Sequence, residues 1–132
     1  MRLAHCLIPL FLFIVGCPKQ TAVWLRPTPD LGQPSFVIGR TLGNESFVDW
    51  VYLRVDRCGS SGTTWGEPMW GITRPADSIR SPTRVTYGRV PSGFVEYQAA
   101  KALDVGCYSV SISGAGAAWF EIDSTGVARG VR

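Results

Sequence analysis

Between residues 106 and 113, Tyr108, Val110 and Ile112 alternate with Cys107, Ser109, Ser111 and Ser113. Successive side chains of a strand point to opposite faces, so this period of two predicts a half-buried strand with one apolar and one small polar face. Gly114-Ala115-Gly116 tolerates the backbone of a tight turn, and Ala118, Phe120 and Ile122 then resume the alternation against Trp119, Glu121 and Asp123. A C-terminal β-hairpin is expected. Over 47–56, Val51, Leu53 and Val55 share one face, and Trp50, Tyr52, Arg54 and Asp56 share the other.

Shorter runs, punctuated by Gly, Pro, Asn and Ser, predict strands at 22–26, 35–40 and 83–87, with weaker ones at 69–73 and 94–97. No stretch has the periodicity of an amphipathic helix, and no segment repeats. Seven or so short strands predict an all-β fold: an immunoglobulin-like or fibronectin-like antiparallel β-sandwich, with a small antiparallel barrel as the alternative. The stretch 59–82 has the weakest pattern, with Gly-Ser-Ser-Gly-Thr-Thr, Trp65, Trp70 and three prolines, and reads as a long excursion. Composition supports a β globule, since 45% hydrophobic residues are too many for a disordered chain and 15 Gly with 9 Pro are too many for a helical bundle. The length of 132 residues suits one domain.

One apolar run stands apart from the strand pattern. Residues 6–15 are unbroken apolar, with Arg2 before them and Gly16 after. Ten residues fall short of the ~20 that span a bilayer as helix, so the segment reads as a removable secretion signal. Its end, Ile14-Val15-Gly16-Cys17, resembles the lipobox of bacterial lipoproteins. That resemblance implies cleavage between Gly16 and Cys17, a diacylglyceryl thioether on Cys17, and often a further acyl chain on the new amino group. Two or three chains satisfy stable anchoring, each buried methylene contributing ~0.8 kcal/mol. The expected organisation is a signal peptide over 1–16, a lipidated N-terminus and short tether over 17–20, and a single sandwich domain over 21–132. Pro18, standing where Asp would retain an enteric lipoprotein at the inner membrane, favours the outer membrane of the bacterial envelope.

With the signal removed, Cys58 and Cys107 are a lone pair in a compartment that permits disulfides, and they are expected to bond. Closing a loop of about 50 residues contributes about 4 kcal/mol by chain entropy. The net charge of +3 falls to about +2 without Arg2, and the basic residues are scattered, so no nucleic-acid partner is expected.

The one histidine, His5, lies in the signal, which removes Ser-His-Asp and Cys-His chemistry from the mature domain. Two cysteines without histidine cannot complete a usual zinc site. Neither Lys19 nor Lys101 has a serine three residues before it, and no phosphate loop occurs. Glu121 and Asp123 share a strand face, the arrangement a carboxylate glycosidase would use, but a solvated sheet face carries such pairs as a matter of course. No catalytic residue, cofactor or metal is assigned.

Five tryptophans, Trp24, Trp50, Trp65, Trp70 and Trp119, are many for this length. Trp65 and Trp70, flanked by Gly66, Pro68 and Gly71, are the pair expected on a contact surface. The sequence thus predicts a lipid-anchored, non-enzymatic binding or assembly module that meets the membrane through its lipid and has an envelope protein or glycan as partner. The competing readings are a carboxylate-dependent, glycan-acting periplasmic enzyme and a purely structural envelope lipoprotein.

Overall fold

The computed structural model describes residues 21–26, 33–59, 66–113 and 117–131, and these form ten strands and no helix. The lipobox with Cys17, the turn at 114–116 and Trp65 lie outside the described residues. The strands are β1 (Ala22–Arg26), β2 (Ser35–Thr41), β3 (Asn44–Glu45), β4 (Tyr52–Arg57), β5 (Pro68–Thr73), β6 (Arg84–Thr86), β7 (Val95–Gln98), β8 (Gly106–Ile112), β9 (Ala117–Ile122) and β10 (Ala128–Val131).

They make two antiparallel sheets packed as a β-sandwich, with no closed barrel. In the four-stranded sheet β2 pairs with β1 on one side and with β3 and β6 on the other. The six-stranded sheet runs β10-β9-β8-β4-β5-β7. The β8–β9 hairpin forms as expected, with Tyr108 opposite Phe120 and Val110 opposite Ala118. Beyond it, the Asp123 carboxylate shapes the β9–β10 turn, accepting from Thr125 N at 2.9 Å, Thr125 Oγ1 at 2.5 Å and Val127 N at 3.0 Å.

Alternation explains the core. Leu53 and Val55 of β4, Trp70 and Ile72 of β5, and Tyr108, Val110 and Ile112 of β8 all project to the same side and are buried. Phe36 and Ile38 of β2 meet them from the other sheet, and the Phe36 and Phe120 ring centroids are 5.5 Å apart. Each such side chain contributes about 1.5–3 kcal/mol through burial.

Two expectations need correction. Residues 59–82 do not form one long excursion, because β5 is an interior strand held between β4 and β7. The loop after it is fixed by the buried Arg74, which donates to the Asp49 carboxylate, to the Ile79 carbonyl at 3.2 Å and to Ser81 Oγ at 3.4 Å. The strand expected at 47–56 begins only at Tyr52. Before it, Trp50 is buried and Val51 exposed, the reverse of the expected faces. Trp50 is tied to a loop rather than to a neighbouring strand: Ser81 Oγ donates to its carbonyl at 2.5 Å, and its Nε1 donates to the Pro82 carbonyl at 2.9 Å.

Candidate functional site

The outer face of the six-stranded sheet is built from the residues that alternate with the core. On β4 these are Tyr52, Arg54 and Asp56; their neighbours across the ladder are Thr73 and Gly71 on β5 and Ser111 and Ser109 on β8. Further along lie Trp119 and Glu121 of β9, then Arg129 of β10. A solvated face would be covered by charged and small polar side chains. This one instead exposes Tyr52 at 42%, Tyr97 at 55% and Trp119 at 39%.

Tyr97 reaches the face through an irregularity in β7. Gly71 pairs with Gln98 while Ile72 pairs with Glu96, so Tyr97 is the extra residue of a bulge at the sheet edge. Its phenol tip rests on Gly71. A Cβ added there would lie 2.4 Å from Tyr97 Cζ and 2.7 Å from its hydroxyl oxygen, so only glycine leaves room for the ring. Tyr52, Arg54, Thr73, Tyr97 and Ser111 together line a cleft of about 380 Å³.

The floor of this region is an ion pair. Arg54 Nε donates to Asp56 Oδ1 at 2.8 Å, with the Asp56 side chain 2% exposed and that of Arg54 33%. Burial pushes the Tyr97 hydroxyl above the usual tyrosine range; Arg54 opposes the shift, and Asp56 and Tyr52 add to it. At neutral pH the hydroxyl is therefore uncharged and available as donor or acceptor.

The sequence-predicted residues fall elsewhere. Cys58 and Cys107 are bonded, with Cα atoms 5.3 Å apart and the Cys58 amide donating to the Cys107 carbonyl at 2.9 Å. The bridge joins the end of β4 to the start of its neighbour β8, so it lies within one sheet, whereas antibody domains place theirs between sheets. Trp70 is not on a contact surface. It is fully buried, edge-on to Tyr87 with centroids 5.3 Å apart, and its Nε1 donates to Glu96 Oε2 at 2.7 Å. Its flanking Gly71 and Pro68 belong to the strand and its edge rather than to a presented loop. Trp65 and Cys17 lie outside the described residues.

Glu121 and Asp123 are not brought to the cleft. Bonding from Thr125 and Val127 holds the Asp123 carboxyl below its ordinary range, and Arg129 Nε approaches its other oxygen at 3.2 Å. Its acceptors are thus committed to the turn. Among the described residues, no three His, Cys, Asp or Glu side chains come together as a metal would require.

The cleft itself was half visible in the sequence. Tyr52, Arg54 and Asp56 fall on the face opposite the apolar one in β4, but nothing local marked Tyr97, which needs the β7 bulge and Gly71 on another strand. No protein-family model, curated protein or solved structure matches this chain.

Proposed function

We propose that the protein is a lipid-anchored, non-enzymatic binding module of the bacterial envelope, tethered through Cys17 and engaging its partner with the outer face of the six-stranded sheet. One observation carries the reading: exposed aromatic rings gather around a cleft on a face that the fold leaves uncovered by the second sheet. Exposed large rings are costly in water and are the residues that supply binding energy when a partner covers them. The lipobox-like leader supplies the location. The short tether over 17–20 holds the sandwich close to the membrane surface.

The test uses the mature chain carrying Cys17→Ser, so that lipid does not dominate retention, incubated with the envelope fraction of native cells. Retention is expected, and Tyr52→Ala or Tyr97→Ala is expected to reduce it at least tenfold while circular dichroism stays unchanged. Equal retention of wild-type and folded variant protein refutes the binding face. Palmitate labelling of the unaltered precursor checks the anchor, with label expected on Cys17 and lost in Cys17→Ser; an unlabelled precursor overturns the tether.

A further inference from the structure

Resting on the reading of the outer face as a binding surface, we infer that its occupant is an uncharged glycan, one sugar ring of which seats between Tyr52, Arg54 and Tyr97. Three properties of the cleft select this chemistry.

The first is the combination of flat apolar surface with hydroxyls. A sugar presents one or two faces of C–H groups, which pack against aromatic rings, and an equator of hydroxyls that both donate and accept. Tyr52 and Tyr97 supply rings. Ser111 and the tyrosines supply hydroxyls, and Thr73, whose hydroxyl donates to the Val51 carbonyl at 3.4 Å, offers its oxygen as an acceptor. An apolar peptide segment laid here would strip water from these groups without replacing it, at about 1–3 kcal/mol for each group left unsatisfied.

The second is charge. The guanidinium of Arg54 is already paired to the buried Asp56 carboxylate, so the pair presents no net charge. An anionic ligand would have to compete with Asp56 for the guanidinium, and a cationic one would find that carboxylate buried. The next charges along the face, Glu121, Asp123 and Arg129, lie beyond the cleft on β9, the turn after it and β10, and Arg129 is engaged with Asp123 at 3.2 Å. A cleft whose one charged lining residue is already paired favours neither phosphates nor acidic or basic peptides.

The third is preorganisation. Tyr97 is set down on the backbone of Gly71, and a bulge aims it there, so its position is fixed before any ligand arrives. Little side-chain entropy remains to be lost on binding. A volume of about 380 Å³ is at the small end of the ~300–1,000 Å³ of small-molecule sites, the scale of a ring or two of a chain that continues across the sheet.

The experiment separates this inference from the reading beneath it. Mature Cys17→Ser protein is incubated with the native envelope fraction and with the polysaccharide left after that fraction is exhaustively digested with proteinase K and delipidated. Comparable retention on both is expected. Retention on the envelope but not on the polysaccharide overturns the glycan and leaves the binding module standing, whereas equal retention of wild-type and Tyr97→Ala protein on the envelope overturns the module's binding face.

Two further arms sharpen the chemistry. When the polysaccharide is divided by anion exchange, the unbound, neutral part is expected to compete for binding; competition confined to the charged part overturns the uncharged ligand. Gly71→Ala keeps every lining side chain but places a methyl group under Tyr97, and a loss of tenfold or more is expected. Wild-type retention by folded Gly71→Ala protein overturns the seat.

Discussion

Leu53 and Arg54 are neighbours in the chain, yet they belong to two surfaces built on different terms. The inner face of the six-stranded sheet is dominated by apolar and aromatic side chains, with Arg57 beside the Tyr108 ring and Glu96 on the Trp70 indole at its margins, and its rings meet in pairs, such as Tyr108 stacked on Phe120 with centroids 5.4 Å apart. On the outer face the same strands carry an ion pair, small hydroxyls and rings left open to solvent. Both faces are rich in aromatic residues. What separates them is that each inner ring has a neighbour filling the space around it, while the outer rings leave a cleft unfilled. Aromatic content alone therefore says little about function; the decisive quantity is whether the fold completes the packing.

The comparison is broken most directly at Trp70. Trp70→Ala removes the largest side chain of β5 from the core and deprives Glu96 of its indole partner, so a loss of about 3–5 kcal/mol is expected in urea denaturation. A loss below about 1 kcal/mol would show that this ring is not the packing element the inner face requires.

The disulfide comes next, because it binds both faces at once by fixing β4 to β8. Removing it through paired Cys58→Ser and Cys107→Ser substitutions frees a loop whose ends are 49 residues apart. By chain entropy the expected loss is up to about 4 kcal/mol. The urea midpoint should fall with the outer-face binding intact in whatever protein remains folded. Binding lost ahead of the fold would place the bridge in the site instead.

Tyr87 tests the inner side by pH. Burial pushes its hydroxyl up to about 12 from the ordinary 10.0, and its single proton is shared between the Lys101 carbonyl at 2.7 Å and the Met69 carbonyl at 3.0 Å. The neutral form is thus favoured by folding. Its contribution is complete below pH 10 and is lost as pH rises through about 12. Tyr87→Phe is expected to cost about 1–2 kcal/mol at neutral pH and to make the alkaline fall in stability shallower. Tyr108, whose hydroxyl burial also raises, keeps the fall from vanishing. An unchanged alkaline limb in Tyr87→Phe would refute the assignment.

These contrasts also explain what the sequence revealed. Period-two alternation is a local signal, so β8 and β9 could be read to within a residue at their ends, and the sandwich followed from strand number and turn spacing. Cys58 and Cys107 were legible by elimination. Trp70 was misplaced because glycines and prolines around it resemble a loop, whereas Gly71 is there to admit Tyr97 and Pro68 begins the strand. Trp50 defeated the alternation because Ser81, 31 residues away, holds its backbone. The short β3 and β10 have too few alternating positions to register. The cleft needed four strands and a bulge to assemble, and no window of sequence contains it.

The smallest expected effect is the one that makes the outer face interpretable. Tyr97 is more than half exposed, and its ring rests on the Gly71 backbone rather than in the core, so Tyr97→Ala vacates surface without opening an internal cavity. A cost of about 1 kcal/mol is expected. It should be several times smaller than that of Trp70→Ala, although both substitutions remove an aromatic ring from adjacent strands of one sheet. Urea denaturation of the two variants side by side measures the ratio. If Tyr97→Ala proves as damaging as Trp70→Ala, the outer ring is a structural brace, and loss of binding in that variant would report unfolding. If the small cost is found, the tenfold loss of retention belongs to the ring's own contact with its partner.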